Sequence, residues 1–161
     1  MRSAGTAVLT RAAVVAAIYV VLVLVQIPMG ELAYGPVQLR IAEGMTLLPV
    51  IEAAAVPGLF AGCLIANLIL SMVSGYGVID IVCGSLITLV AAYLTSKCKS
   101  RWLGMIPPVL LNGLLVPAYL SPLLGVPYLP LALSITGGEF LSVLIFGNIV
   151  FPAWKKATKK A

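Results

Sequence analysis

Histidine is absent from this 161-residue chain. That absence removes histidine-based triads, imidazole metal sites and imidazole proton relays together. Charge is scarce as well: charged residues make up 9% of the chain, where an ordinary soluble domain carries about a quarter. Cys63, Cys83 and Cys98 are widely spaced and form no CxxC pair, so neither a redox motif nor a thiolate metal site has a framework. In apolar runs a thiol behaves as a small hydrophobe, and all three read as inert. No glycine-rich Walker loop ending in Gly-Lys-Ser or Gly-Lys-Thr occurs, so any ATP that powers the protein is hydrolysed elsewhere. No nucleophile and base can be paired for intramembrane catalysis. The expectation is a protein that is not an enzyme and uses no cofactor and no metal.

What the chain has in excess is apolar sequence: 61% of its residues are hydrophobic and its mean hydropathy is +1.14. A membrane-crossing helix takes about 20 mostly apolar residues, so a chain of this length holds roughly six with short loops. The pattern predicts spans over 6–27, 39–55, 57–73, 78–96, 103–120 and 131–154, one membrane domain over residues 1–161. The basic start and first apolar run resemble a signal peptide, but no small-x-small cleavage site follows and the membrane pattern continues. The second span is short and interrupted by Pro49, which removes a backbone hydrogen bond where a cavity or neighbour must compensate. Six spans put both termini and the loop after span four on one side. Nine of the ten basic residues, all but Arg40, then fall on that side. The positive-inside rule makes it the cytoplasm, giving an all-α, six-helix bundle with both termini cytoplasmic. The basic residues report topology in this reading, and no nucleic-acid partner is expected.

With orientation set, the helical rise of 1.5 Å per residue gives depth: Glu43 and Asp80 lie roughly 5 Å below the outer surface, and Asn67, Asn112 and Glu139 roughly 9 to 12 Å. Ionisable groups inside spans are costly and face a cavity or a partner. One Arg cannot pair with three carboxylates, so Arg40 with Glu43, Asp80 and Glu139 leaves about two negative charges to be cancelled by protonation or by a cation. This implies an outward-facing pocket for a small cationic ligand rich in hydrogen-bond donors. Arg40 and Glu43, three residues apart, can also form a salt bridge within one helix. Asn67, Asn112 and Thr88 can serve as interhelical glue. Gln38 precedes the helix and offers both a donor and an acceptor. Glu52 sits at the opposite end, suited to capping amides or facing a partner, and Glu31 reads as a solvated loop residue. On span one, Ala12, Ala13, Ala16 and Ala17 form overlapping small-xxx-small pairs that fit either internal packing or a docking face.

Gly35-Pro36-Val37-Gln38-Leu39-Arg40-Ile41-Ala42-Glu43, continuing to Pro49, together with Val56-Pro57-Gly58-Leu59-Phe60-Ala61-Gly62-Cys63-Leu64-Ile65-Ala66-Asn67 and Asp80 to Ser85, resemble the QueT family of queuosine-precursor transporters. These are substrate-binding S components of energy-coupling factor (ECF) transporters, and the resemblance covers essentially the whole chain. One departure is Gly44, where the family pattern has Ala. The resemblance implies a six-helix bundle that takes 7-aminomethyl-7-deazaguanine (preQ1) from outside and works with a membrane T component and two ATPase subunits, docking through Ala12, Ala13, Ala16 and Ala17. The site it suggests comprises Gln38, Arg40, Glu43, Asn67, Asp80, Asn112 and Glu139, with Tyr34, Tyr76 or Tyr128 stacking on the ring. Alternatives are an S component for another heterocyclic vitamin and a stand-alone secondary transporter in which Asp80, Glu139 or Glu43 carries a coupling proton.

Overall fold

The computed structural model describes residues 4–30, 39–74 and 76–159. Gln38, Tyr34 and Glu31 therefore lie outside the described residues. Within them the chain is helical, with five helices long and apolar enough to cross a membrane. These are α1 (Ala4–Gln26), α2 (Ala55–Ser74), α3 (Gly77–Ser96), α4 (Arg101–Leu124) and α5 (Tyr128–Thr158). The protein is accordingly a multi-pass, all-α membrane protein.

The expected second span takes a different form. An α-helix was anticipated over 39–55; the structure has a 3₁₀ helix, Ile41–Val50, of 10 residues. Its residues 42–49 are all buried. Gly44, Thr46 and Pro49 are all poor α-formers, and the Thr46 hydroxyl donates back to the Glu43 carbonyl at 2.6 Å. A 3₁₀ helix rises about 2.0 Å per residue, so ten residues cover roughly 20 Å. That length matches its task. At one end Gln26 of α1 bonds Leu39 and Ile41, and at the other Arg11 of α1 bonds Glu52. The α-helical rise from Arg11 to Gln26 is roughly 22 Å. The 3₁₀ helix thus runs antiparallel to α1 over nearly the same height and returns the chain to where α2 starts.

That return lets α1 and α2 pack side by side in parallel, and glycines make the approach close. A Cβ on Gly58 would meet the Ala12 carbonyl oxygen at 2.7 Å, and one on Gly62 would meet the Tyr19 Cβ at 2.9 Å and the Ala16 Cα at 3.1 Å. Lipid is as apolar as leucine, so van der Waals packing of this sort is a main source of helix association in a bilayer. Ala12 and Ala16 are consequently buried inside the protein, which corrects the expectation that all four alanines face a partner. Only Ala13 and Ala17 remain on the exposed side of α1.

The basic residues collect at one end of the bundle. Glu52 accepts from Arg11 at 3.0 Å and from the Ala54 amide at 3.3 Å, so it both pairs and caps, as its position suggested. Gly104 at the start of α4 sits against Val50 and Thr95, which brings the turn holding Lys97, Lys99 and Arg101 to the same end. Trp154, just before Lys155 and Lys156, packs on the core cluster that includes Leu48 and Ala55.

Gly44, the departure from the family pattern noted above, has a strict packing role. A Cβ there would lie 2.6 Å from the Phe146 backbone carbon and 2.8 Å from the Gly147 amide of α5. The backbones of the 3₁₀ helix and α5 touch at this point. Gly137 on the same helix has open space around its Cα. Gly44→Ala should therefore destabilise the protein by about 1–3 kcal/mol through overpacking, while Gly137→Ala should be neutral or stabilising. Thermal midpoints in detergent check this, and equal midpoints for the two variants would contradict it.

Candidate functional site

Inside the half of the bundle away from the lysines is a cavity lined by one strip from each of four helices. α2 contributes Cys63, Asn67 and Leu70; α3 contributes Asp80, Gly84 and Thr88; α4 contributes Asn112, Val116 and Tyr119; α5 contributes Ile135 and Glu139. Each strip follows the i, i+4, i+7 or i+8 spacing of a single helix face. Arg40 and Tyr76 complete the wall. The cavity measures about 30 Å³, room for roughly two water molecules.

Arg40 is held by its backbone as much as by its charge. It stands in extended conformation (φ −98°, ψ 112°) just before the 3₁₀ helix, where backbone groups have no helical partners. Side chains supply them. The Gln26 amide donates to the Leu39 carbonyl at 2.7 Å and accepts from the Ile41 amide at 2.6 Å. The Arg40 amide donates to the Ser142 hydroxyl at 2.9 Å, which in turn donates to the Gly138 carbonyl at 2.7 Å. Three neighbouring backbone positions are thereby tied to α1 and α5. The guanidinium pairs with Glu43 at 3.6 Å and lies 3.5 Å from the Tyr19 hydroxyl, which itself donates to Glu43 at 2.7 Å.

The carboxylates in the cavity wall each have one oxygen engaged. Asp80 Oδ1 accepts from Tyr119 at 2.6 Å, and Glu139 Oε1 accepts from Asn112 at 3.1 Å. Their second oxygens have no donor among the described residues. Asn67 donates to the Asp80 carbonyl at 3.1 Å, a backbone group at the head of the π-helical turn Asp80–Gly84. Such turns distort the helical ladder and recur at functional positions. Asn67 Oδ1 is left buried with no partner. Gly84 makes this convergence possible, since a Cβ there would lie 2.9 Å from Asn67 Nδ2, 3.2 Å from Asp80 Oδ1 and 3.4 Å from the Tyr119 hydroxyl. The outcome is a chamber rich in acceptors, with one cation at its edge.

Of the residues singled out from the sequence, Arg40, Asn67, Asp80, Asn112 and Glu139 line one cavity together. Glu43 stands behind Arg40, buried and outside the lining, so the salt bridge considered above is present and Arg40 still reaches the chamber. Gln38 lies outside the described residues. Tyr76 is in the wall, while Tyr128 donates to the Leu114 carbonyl at 3.0 Å on the exposed side. Tyr119, Tyr19, Ser142 and Gln26 were missed. For Tyr119 a signal existed, because it lies seven residues after Asn112 on the same face. Cys63, read as inert, accepts a hydrogen bond from Thr88 at 3.3 Å and lines the cavity as a soft polar wall.

A polytopic helical protein whose helices close round a polar, acceptor-lined chamber is a membrane protein that gathers its costly polar groups about an internal space. The chain itself belongs to the QueT transporter family, whose model, described as "QueT transporter", matches residues 9–156. Its role is therefore transport across a membrane. No curated protein and no solved structure matches it.

Removing the Tyr19 hydroxyl would leave buried Glu43 short of its best donor. Tyr19→Phe should cost about 1–3 kcal/mol, whereas Tyr128→Phe, at an exposed bond, should cost little. Denaturant or thermal melts compare the two, and a Tyr19→Phe protein as stable as the parent would remove the role assigned to that hydroxyl.

Proposed function

We propose that the protein is the substrate-binding S component of an ECF transporter in the bacterial plasma membrane and that its ligand is 7-aminomethyl-7-deazaguanine, taken up as a queuosine precursor. The observation that carries this reading is the mismatch between acceptors and donors in the cavity. Asn67 Oδ1 is buried without a partner, the hydrogen bonds of Asp80 and Glu139 engage one oxygen of each carboxylate, and Arg40 alone brings a positive charge to the lining. The ligand has the complementary inventory: an ammonium, a ring N–H and exocyclic amine along its guanine-like edge, and one carbonyl that needs a donor. Asp80 and Glu139 divide the ammonium and the donor edge between them by charge-assisted bonds. Asn67 accepts a further N–H. Arg40 donates to the carbonyl, and Glu43 with Tyr19 keeps its guanidinium in place.

A cavity of about 30 Å³, room for roughly two waters, is too small for a bicyclic base. Binding therefore moves side chains, and Tyr76, Tyr119 and the Arg40 guanidinium are those that border the space. Tyr76 then stacks on the ring. In this reading the basic end is cytoplasmic, the 3₁₀ helix is the second of six crossings, and the cavity faces outward. Ala13 and Ala17, the exposed remainder of the alanine face, dock on a T component that two ATPase subunits drive.

Equilibrium binding of labelled ligand to the purified protein tests this. Asp80→Asn and Glu139→Gln should each weaken binding at least tenfold, about 1.4 kcal/mol, with Tyr128→Phe unchanged. Full affinity in both carboxylate variants would remove the site. Uptake by the protein alone in liposomes, driven by a proton gradient, would replace the S-component role with that of a secondary transporter.

A further inference from the structure

Outside the cavity, a second feature joins an apolar groove to unpaired positive charge. Trp102, Ile106, Val109, Leu110, Phe140 and Leu144 wall a groove of about 350 Å³ between α4 and α5, open to the lipid-facing side. A second groove of about 410 Å³, walled by Lys97, Lys99 and Leu103, shares Ile106 with it. The Arg101 guanidinium lies 4.9 Å from the centre of the Trp102 ring that walls the first groove. The turn that carries these cations is pinned. Ser100 accepts from the Leu103 amide at 3.3 Å, Thr95 donates to the Gly104 carbonyl at 3.1 Å, and Gly104 abuts Val50.

No carboxylate answers this charge from within. Among the described residues the ion pairs are Arg11 with Glu52 and Arg40 with Glu43; Asp80 and Glu139 belong to the cavity. Lys97 stands 4.9 Å from the centre of the Tyr93 ring, so aromatic faces contact Lys97 and Arg101, and Lys97, Lys99 and Arg101 remain three cations without a carboxylate partner on one turn beside the apolar grooves. The ligand that satisfies both parts is an amphiphile with an anionic head. Basic pockets at the ends of membrane helices select anionic headgroups, each cation near the surface contributing about 1 kcal/mol, and Trp at a membrane interface suits the boundary between head and chain.

We infer that this groove is a binding site for an anionic phospholipid, with an acyl chain along Ile106, Leu110 and Phe140 and its phosphate held by Lys97, Lys99 and Arg101. The site is independent of the substrate cavity, so its test is separate from that of the transport assignment.

Trp102 provides the readout, because it lines the groove. The full chain carrying Trp154→Phe, which leaves Trp102 as the one tryptophan, is reconstituted with lipids brominated on their acyl chains. Brominated phosphatidylglycerol should quench Trp102 at a mole fraction at least threefold lower than brominated phosphatidylcholine does. Raising the salt should erase the difference, as screening requires. The variant K97Q/K99Q/R101Q should bring the phosphatidylglycerol curve onto the phosphatidylcholine curve, and K155Q/K156Q should leave the preference intact. Equal quenching by the two lipids would overturn the inference. So would loss of the preference in both variants, which would assign it to bulk surface charge, or capture of an acidic protein by this turn without any lipid preference. If K97Q/K99Q/R101Q does not fold, the single variants K97Q and K99Q, each of which should weaken the preference while K155Q/K156Q does not, take its place; single variants that keep the full preference would overturn the inference.

Discussion

A guanidinium between membrane helices must find its counter-charge inside the protein, and Arg40 is where that requirement shapes the rest. Glu43 and Tyr19 meet its charge from behind, and Gln26 and Ser142 hold the backbone on either side of it. These partners come from α1, the 3₁₀ helix and α5, so the cation can be buried only if three elements assemble correctly. In return, Arg40 reaches the chamber as a fixed charge facing carboxylates on α3 and α5. The acceptors there gain from the same low dielectric that makes an unpaired charge costly.

The short element between α1 and α2 has two functions. Its length matches the height from Gln26 to Arg11, and its narrow radius lets Gly44 meet the α5 backbone. A wider helix, such as an α-helix, would push α5 outward and with it Glu139. Long 3₁₀ helices are uncommon because their hydrogen-bond geometry is poor. Here dense packing on every side and the bonds at both ends make up for it. Glycines recur wherever elements touch: Gly58 and Gly62 between α1 and α2, Gly113 against Thr136, and Gly84 among the polar groups of the cavity. Fold and site are thus joined by the same small residues.

Much of this was legible in the sequence. Five spans follow from hydropathy, and the clustering of basic residues at one end follows from their positions in short flanks. Asn67, Asp80, Asn112 and Glu139 stood out because polar groups in apolar spans are rare, and depth counting placed them in the same outer half of the membrane. The 3₁₀ geometry was not legible: Pro49 signals a break, yet nothing local separates a kinked α-helix from a stretched one when tertiary contacts at both ends decide the rise. Depth and the excess of carboxylates over Arg40 put Glu43 with the ligand, while helical spacing offered only the salt bridge with Arg40; its second partner, Tyr19, lies 24 residues away and leaves no local signal. The alanine face divided for a similar reason, since a small stripe is equally suited to an inner and an outer neighbour and only the position of Gly58 and Gly62 distinguishes them.

On the proposed function, positive charge on the guest is what the chamber selects. Calorimetric titration of the purified protein with 7-aminomethyl-7-deazaguanine and with its neutral 7-hydroxymethyl counterpart tests this most directly, because the two differ little in shape and by one unit of charge. The account predicts that the ammonium compound binds at least tenfold more tightly, and that the gap narrows when Asp80 is replaced by Asn. Equal affinity for the two compounds, or a preference for the neutral one, would contradict it.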